Sequence, residues 1–380
     1  MSATNADNIG VIFGGPSPEH DVSILTGLQA ARALLQQGRS TVQAIYWTKG
    51  ERFFLVSPAL EAEAFLEGTP KGARELQLLT QPDGGFFFAK SGVFAGKQHA
   101  LRLNAVVNCC HGGPGEDGTL QGALDMAGTA YTGPNAATAA LCMDKLAFGA
   151  LVQASGLPSL PRQLVSAGAE PPGWDGPYIV KPRFGGSSIG IEVIEQWADV
   201  VRYGELGGPH SARGLVVEPY HADAYDVQVA VRSYPALSLS LFERPIRSPG
   251  AGKILGYKDK YLGGEGMVSA PRELPAQLAP SLEKELRAAA QALAGLLGLR
   301  GVSRIDFLVN GSGAWWVNEV NTIPGSLAKY LWTGDAAVDM ATLLSDMVAE
   351  ARLRPSAKWS SVGADGSALR SAASIASKLS

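Results

Sequence analysis

Apolar positions along the chain follow two alternating rhythms. A short apolar run at 9–13 stops at Gly14-Gly15. From 22 to 35 apolar residues recur three and four apart, which predicts a strand and then a helix ending near Gly38. Residues 41–47 read as a second strand. The run 103–109 ends in His111-Gly112-Gly113, again a strand followed by a loop. Residues 120–127 suit a short helix and 141–154 a longer one, with Gly156 and Pro158 just beyond it. This order predicts a parallel sheet with helices on both faces over roughly the first 140 residues. Ligands of such sheets gather beyond the carboxyl ends of the strands, where Gly14-Gly15 and 111–118 stand.

The second half has a different pattern. A strand at 178–180 leads into Lys181-Pro182-Arg183-Phe184-Gly185-Gly186-Ser187-Ser188-Ile189-Gly190. Segments 215–220, 227–231, 237–242 and 302–309 read as strands, and 278–298 is the clearest long amphipathic helix. From about Pro355 the chain turns to Ser, Ala and Gly with scattered charge, the composition of a loosely held tail. There is no internal repeat.

Length adds that 380 residues make two or three domains. A net charge of −3 excludes the strongly basic face that a broad nucleic-acid footprint needs. Three cysteines are too few for a disulfide scaffold, so a reducing compartment is expected. No signal-peptide core opens the sequence, and no apolar run reaches the ~18 residues that span a bilayer. The expected setting is the cytoplasm, with neither nucleic acid nor membrane as partner. Glycine stands out: 46 residues, well above its usual share of ~7%. That excess asks where the backbone must come close to a ligand.

The loop 185–190 is one answer. Backbone N–H groups there can converge on an anion, with serine hydroxyls and Lys181 adding to them. It is not a Walker A loop, because no Gly-Lys-Ser/Thr closes it. A plain hairpin turn is the competing reading. The second answer is a hairpin, with strand 302–309, turn 310–313 and a returning strand to 320. Alternation puts Arg304 and Asp306 on one face and Glu319 and Asn321 on one face of the partner strand. A simple four-residue turn sets Arg304 opposite Glu319, with Asp306 diagonal to it. Oxygen ligands of this kind suit Mg²⁺, or Mn²⁺ in its place, and Arg304 can stabilise a developing oxyanion. An exposed, salt-bridged hairpin face is the alternative.

Two further loops carry polar groups. Segment 111–118 joins His111 to an acid pair among four glycines, either a ligand loop or a tight surface turn. At 16–23, Ser17 with Pro18, Asp21 or Ser23 can cap the following helix, and Glu19 can serve as a first-turn acid. Cys109, Cys110 and Cys142 read as buried thiols. Trp315 and Trp316 point to opposite faces of their strand.

Together these segments resemble the D-alanine–D-alanine ligase family of the ATP-grasp superfamily, from about residue 8 to 349. The resemblance rests on eight motifs in order. The first four are Phe-Gly-Gly-x-Ser-x-Glu-His-x-Val-Ser (13–23), His-Gly-x-x-Gly-Glu-Asp-Gly-x-x-Gln-Gly (111–122), Tyr-Thr-Gly (131–133) and Met-Asp-Lys (143–145). Then come Val-Lys-Pro with Gly-Ser-Ser-x-Gly (180–190), Lys-Tyr-Leu (260–262), Arg-Ile-Asp (304–306) and Asn-Glu-x-Asn-Thr-x-Pro-Gly (318–325). The resemblance implies a fold of α/β and α+β parts, an ATP-grasp fold with an N-terminal Rossmann-like domain. Its implied division is 1–140 for the N-terminal substrate domain, 141–222 for the central lobe with the flap, 223–354 for the C-terminal lobe with the Mg²⁺ site, and 355–380 for a flexible tail. A homodimer through the N-terminal domain is implied as well.

Residue roles follow motif by motif. Lys145 and Lys181 match lysines on the ATP phosphates, and Ser188 and Lys260 belong to the same nucleotide set. Glu218 matches the adenine hinge, and Asp226 stands near the ribose-binding acid. Asp306, Glu319 and Asn321 match the Mg²⁺ ligands. Arg304 and the N–H of Gly325 match the groups that face the oxyanion. Glu19, Ser187 and Tyr261 match a hydrogen-bonded trio closing over the first D-alanine, with a loop at 260–266 helping to exclude water. His111 matches a residue near the substrates. One departure concerns the second substrate: Tyr330 stands where the family has a small Ser, and Lys329 beside it can still meet a carboxylate. The implied reaction joins two D-alanines through an acyl phosphate at the expense of ATP, for peptidoglycan precursors. The competing readings are the same chemistry with another second amino acid in a specialised or antibiotic pathway, and a non-catalytic nucleotide-binding relative.

Overall fold

The structure, a computed structural model, describes residues 7–81, 83–89, 98–209, 211–246, 271–354 and 360–371. Strand β1 (Asp7–Gly14) leads into helix α1 (His20–Gln37), and β2 (Ser40–Trp47) returns parallel to β1. Gly38 ends α1 in left-handed conformation, its N–H donating to Leu35 O. Strands β3 (Phe53–Val56), β4 (Arg74–Leu79) and β5 (Gly85–Phe88) extend the sheet on one side, and β6 (Ala105–Asn108) pairs parallel with β1 on the other. The order is β5-β4-β3-β2-β1-β6.

This sheet is mixed, not parallel as predicted, because β2, β3, β4 and β5 pair antiparallel. The link from β2 to β3 is only 48–52. A parallel neighbour needs a crossover of about a dozen residues or more. Helices do cover both faces. Alternation along β1 sends Ile9, Val11 and Phe13 into a core with Ile24, Leu28 and Leu34 of α1. Ile12 turns the other way, to Leu120 and Leu124. These belong to α3 (Thr119–Met126), which follows the one-turn α2 (Gly113–Glu116).

The predicted helix 141–154 is two helices, α4 (Ala136–Met143) and α5 (Lys145–Ala154). Asp144 breaks the run. Its backbone is extended, and its carboxylate caps α5 by accepting from Leu146 N (3.1 Å) and Ala147 N (3.3 Å). The apolar pattern continues across this cap, which is why periodicity alone merges the pair.

A four-stranded antiparallel sheet follows, in the order β7-β10-β8-β9. It comprises β7 (Gln163–Val165), β8 (Tyr178–Pro182), β9 (Glu192–Ile194) and β10 (Leu215–Pro219), with helix α6 (Trp197–Leu206) packed on it. The third sheet contains β11 (Tyr225–Arg232) and β12 (Ser238–Leu239), the latter shorter than the predicted 237–242. A separate pair, β13 (Arg244–Pro245) and β14 (Arg272–Glu273), precedes helix α7 (Pro280–Leu297). Strands β15 (Val302–Val309) and β16 (Trp315–Asn321) complete the third sheet in the order β12-β11-β15-β16. Leu286 and Leu293 of α7 pack on Val227, Val229, Ile305 and Phe307. Helix α8 (Met340–Leu353) returns to the first lobe, placing Leu343, Leu344 and Met347 in the core of β1 and α1. The described part of the tail holds one exposed turn, α9 (Ser367–Arg370). No helix among the described residues is long and apolar enough to cross a membrane.

Gly27 marks how closely α1 sits on β1, since a Cβ there would lie 2.4 Å from the Phe13 side chain. Alanine gains up to ~1 kcal/mol of helix propensity over glycine, but overpacking a rigid core costs about 1–3 kcal/mol. Gly27→Ala is therefore expected to lower the thermal unfolding midpoint by several degrees, as read by calorimetry; an unchanged or higher midpoint contradicts this packing.

Candidate active site

The second and third sheets direct loops and strand ends at one cleft with an empty volume of about 980 Å³, its open mouth included. Its walls carry Lys145, Lys181, Ser188, Glu218, Asp226, Asp306, Asn318 and Glu319. The Gly-Ser-Ser loop connects β8 to its antiparallel partner β9, so it is a hairpin connection and also a wall of the cleft. The hairpin reading of that segment holds. Ser187 and Ser188 have φ of 53° and 58°.

Ser187 Oγ donates to the Glu19 carboxylate, joining the flap to the first lobe. Glu19 occupies the N-cap position of α1, yet its side chain makes no capping bond. Ser23 is no cap either: its Oγ accepts from Gly14 N (2.7 Å) and donates to Cys109 O (2.8 Å), tying the ends of β1 and β6 together. Ser17 Oγ donates to His111 O (2.7 Å). The two loops picked out in the sequence are therefore neighbours. Tyr261 and Lys260, expected beside them, lie outside the described residues, as does the 260–266 loop.

The cations stand on buried carboxylates. Lys181 Nζ lies 2.7 Å from Glu218 Oε2 and 3.3 Å from Asn318 Oδ1. Arg162 Nε lies 2.9 Å from the other oxygen of Glu218, which is 1% exposed. Burial pushes the Glu218 carboxyl up, but Lys181 and Arg162 outweigh it and hold the group below its ordinary range. The side chain expected at an adenine hinge is thus committed to two cations, and only the backbone of that strand end remains for a base. Lys145 Nζ donates to Gly185 O and stands 3.8 Å from Glu319 Oε2. Burial lowers the Lys145 pKa, with Glu319 opposing. Arg162 also donates to Asn318 O (2.6 Å), and it lies in no motif that the sequence singled out.

The acidic hairpin has a different register from the predicted one. Asp306 faces Glu319 and Arg304 faces Asn321, with a bulge after Asp306. The extra residue, Asn318, turns to Lys181. Arg304 binds Asp306 through two hydrogen bonds, Nε to Oδ1 (2.7 Å) and Nη2 to Oδ2 (2.8 Å). Asn321 Nδ2 donates to Asp306 Oδ2 (3.1 Å). Asp306 is 3% exposed, which rules out an exposed salt-bridged face. Among the described residues no three His, Cys, Asp or Glu side chains gather as a metal cage. Asp306 and Glu319 do face each other across the hairpin, with Asn321 beside Asp306 and Lys145 3.8 Å from Glu319. Such a set fits a hard cation that keeps positions for water and phosphate.

Beyond β16 the chain forms a 3₁₀ segment, Gly325–Leu331. Tyr330 Oη accepts from Arg304 Nη1 at 3.3 Å, and the Arg272 guanidinium lies 4.8 Å from its ring centre. Lys329 Nζ donates to Trp332 O (3.4 Å), so Tyr330 is the member of the pair that meets the arginine. His111, expected near the substrates, is enclosed by hydrogen-bond partners. It is 3% exposed, with Nδ1 2.6 Å from Ile323 O and Nε2 2.7 Å from Thr26 Oγ1. Burial drives its pKa to about 4, so the ring is neutral. Thr26 and Glu116 were not picked out individually. Glu116 lay inside a quoted motif, whereas Thr26 lies outside every motif, in the middle of α1, and its partners are far away in sequence.

Buried lysines, a hairpin bearing oxygen donors and the Gly-Ser-Ser loop border one cleft, the arrangement expected of a ligase that uses ATP to couple a carboxylate to an amine. A family model for the N-terminus of D-ala D-ala ligase matches residues 8–134, and one for its C-terminus matches 172–348. The chain belongs to the D-alanine–D-alanine ligase family. It is 32% identical over 370 residues to the D-alanine–D-alanine ligase of Rhodococcus jostii, covering 91% of this chain and 97% of that protein. Against the Lactococcus lactis subsp. cremoris enzyme of the same name it is 30% identical over 356 residues, with 90% and 95% covered. Two solved structures share the fold: D-alanyl-alanine synthetase A from Vibrio cholerae (TM-score 0.74, 21% identity, 93% and 100% covered) and the VanG D-Ala:D-Ser ligase from Enterococcus faecalis (0.72, 24%, 91% and 99%).

Glu116 supplies a pH test. It accepts from Gly112 N (2.9 Å), Ile323 N (3.0 Å) and Thr322 Oγ1 (3.3 Å). Burial first, then the charge of Glu19, pushes its pKa up to about 7 from 4.5. A folded pKa above the unfolded one means stability that is full below about 4.5 and lost as pH rises through 7. Glu116→Gln is expected to flatten this part of the stability profile, measured by urea unfolding from pH 4.5 to 8; equal slopes in both proteins contradict it.

Proposed function

We propose that this protein makes D-alanyl-D-alanine from two D-alanines with conversion of ATP to ADP and phosphate, in the cytoplasm, supplying peptidoglycan precursors. The observation that supports the reading is one cleft lined by Lys145, Lys181, Ser187, Asp306 and Glu319, with Glu19 bound to Ser187 and Arg304 and Asn321 bound to Asp306. The division at 1–140, 141–222, 223–354 and 355–380, and a homodimer through the N-terminal lobe, belong to the same reading.

A carboxylate is a poor electrophile. In the proposed reaction an oxygen of the first D-alanine's carboxylate attacks the γ-phosphorus and the bond to ADP breaks, which gives an acyl phosphate. Lys145 and Lys181 hold the phosphates and offset their charge. Asp306, Glu319 and Asn321 would hold Mg²⁺ or Mn²⁺, which neutralises charge on the transferring group when bound. The amine of the second D-alanine attacks the acyl carbon, inorganic phosphate leaves, and the amine gives up a proton. Arg304 and the Gly325 N–H face the oxyanion formed on the way. The Glu19–Ser187 contact holds the flap down, which keeps water from the acyl phosphate.

Tyr330 favours a second reading, the same chemistry with a different second amino acid. Purified protein with ATP, Mg²⁺ and a panel of amines separates the two. Dipeptide and phosphate with D-alanine alone are expected; product only with another amine overturns the D-alanine assignment. Glu319→Ala is expected to lower the rate at least ~100-fold, the scale of losing preorganised charge stabilisation. Undiminished turnover would sink the catalytic reading.

The phenol of Tyr330 also bounds the slot beside Arg304. Tyr330→Ser is expected to raise kcat/KM for bulkier second amino acids about tenfold relative to D-alanine, near the low end of what one side-chain change in a pocket gives. An unchanged ratio in competition assays removes Tyr330 from the second subsite.

A further inference from the structure

The turn that follows Gly325 is held from another lobe. Ser326, Leu327 and Ala328 all have φ of 49°. L-residues resist this region because the Cβ crowds the backbone carbonyl, so a run of three persists only where its surroundings over-determine it. Leu327 N donates to Pro324 O (2.8 Å), and the side chains of Leu327 and Ala328 are fully buried. Ser326 N donates to Thr26 Oγ1 on α1 (3.0 Å). His111 completes the connection, since its Nε2 meets the same hydroxyl (2.7 Å) and its Nδ1 meets Ile323 O (2.6 Å).

The proton positions follow from chemistry. A carbonyl only accepts, so Nδ1 carries the proton of the neutral ring and donates to Ile323 O. Nε2 therefore accepts, and the Thr26 hydroxyl donates to it. The Thr26 oxygen keeps a lone pair for the Ser326 N–H. Three hydrogen bonds thus bridge Ile323 and Ser326, with Pro324 and Gly325 between them. Glu116 holds the same loop by accepting from Ile323 N and Thr322 Oγ1.

We propose that Thr26 and His111 are positioning residues for the oxyanion turn, fixing both flanks of Gly325 so that its N–H is aimed at the oxygen on which the negative charge develops. This rests on the role given to Gly325 above. Neither residue touches reacting atoms. His111 acts as a neutral link between a hydroxyl and a carbonyl, and it moves no proton in the reaction.

Thr26→Val removes both hydrogen bonds at nearly constant shape, and Thr26→Ser keeps them. In Thr26→Val, kcat for dipeptide formation is expected to fall about 10- to 100-fold, the scale of a misplaced reacting group. The KM for ATP should stay within about twofold, since the nucleotide contacts are untouched. Thr26→Ser should recover most of the loss. Hydrogen exchange of peptides covering 322–331 reads the clamp without any activity, and about tenfold faster exchange is expected in Thr26→Val alone. Unchanged exchange in Thr26→Val overturns the clamp. Faster exchange with undiminished kcat overturns the positioning role. Equal losses in the Val and Ser variants overturn it too, because packing and not the hydroxyl would then matter. Absence of dipeptide with the unmodified protein is a separate failure, that of the ligase reading, and it shows before any variant is made.

Discussion

Glu218 is the interaction on which the cleft depends. Lys181 and Arg162 approach it from two sides at 2.7 and 2.9 Å, and all three side chains are buried. Two like charges about 4 Å apart repel by about 4 kcal/mol at an effective dielectric of 20. Without a carboxylate between them, the lysine on β8 and the arginine before β7 could not both face inward. Strand pairing puts the carboxylate there, because β10 runs antiparallel between β7 and β8. Arg162 then reaches the backbone of Asn318 on β16, and Lys181 reaches its side chain, so the second and third sheets are tied through one ion pair. Lys145 joins from the start of α5, with Glu319 as its nearest carboxylate. The result is a cationic wall facing an acidic one.

The first lobe reaches this frame through small contacts. Ser187 meets Glu19 and Arg213 lies 3.3 Å from Asp117, while Arg183, just past β8, binds Asp144 at the cap of α5. Phe184 lies under both arginines, 5.1 Å from Arg183 and 3.9 Å from Arg213. Each exposed pair contributes little by itself. Together they set where the flap rests, and a lid must rest lightly if substrates are to enter and products to leave. The heavier attachment lies beneath, where α1 and α8 share the core of the first sheet.

Much of this was legible in the residues, and the failures have physical causes. Arg304 and Asp306 were placed on one face because strand alternation is rigid. Their partners were misassigned because the turn pairs Val309 with Trp315, one residue further on than a simple turn over 310–313, and the bulge after Asp306 adds a second residue of shift. Strands β1, β2 and β6 of the first sheet were read from the residues, but β3, β4 and β5 were not, and a five-residue link dictates the antiparallel direction of β3. Asp144 was hidden because apolar periodicity continues through a cap. Arg162, Thr26 and Asn318 act through partners 56 to 300 positions away, as in Arg162 with Glu218 and Thr26 with Ser326. No local pattern reports such contacts. Glu218 and His111 were found by motif, yet motif gives position and not partners, and burial changed what each can do.

Arg304 shows how the two halves of the proposed reaction can be kept apart. One edge of its guanidinium is fixed on Asp306 by two hydrogen bonds, on the side of the cleft where the phosphates are expected. The remaining nitrogen meets Tyr330, on the side from which an amine would approach. Tyr330 is braced in turn by Arg272, which lies over its ring and is paired with Glu243 at 3.0 Å. A guanidinium is planar and always charged, so it can serve both sides without changing protonation. Substitutions on the Asp306 side would disturb activation of the carboxylate. Substitutions on the Tyr330 side would change which amine arrives while leaving the activating groups in place. In the proposed reaction that separation would let the acceptor change while the activating chemistry stays, with residue 330 as the position that a change of acceptor would touch first.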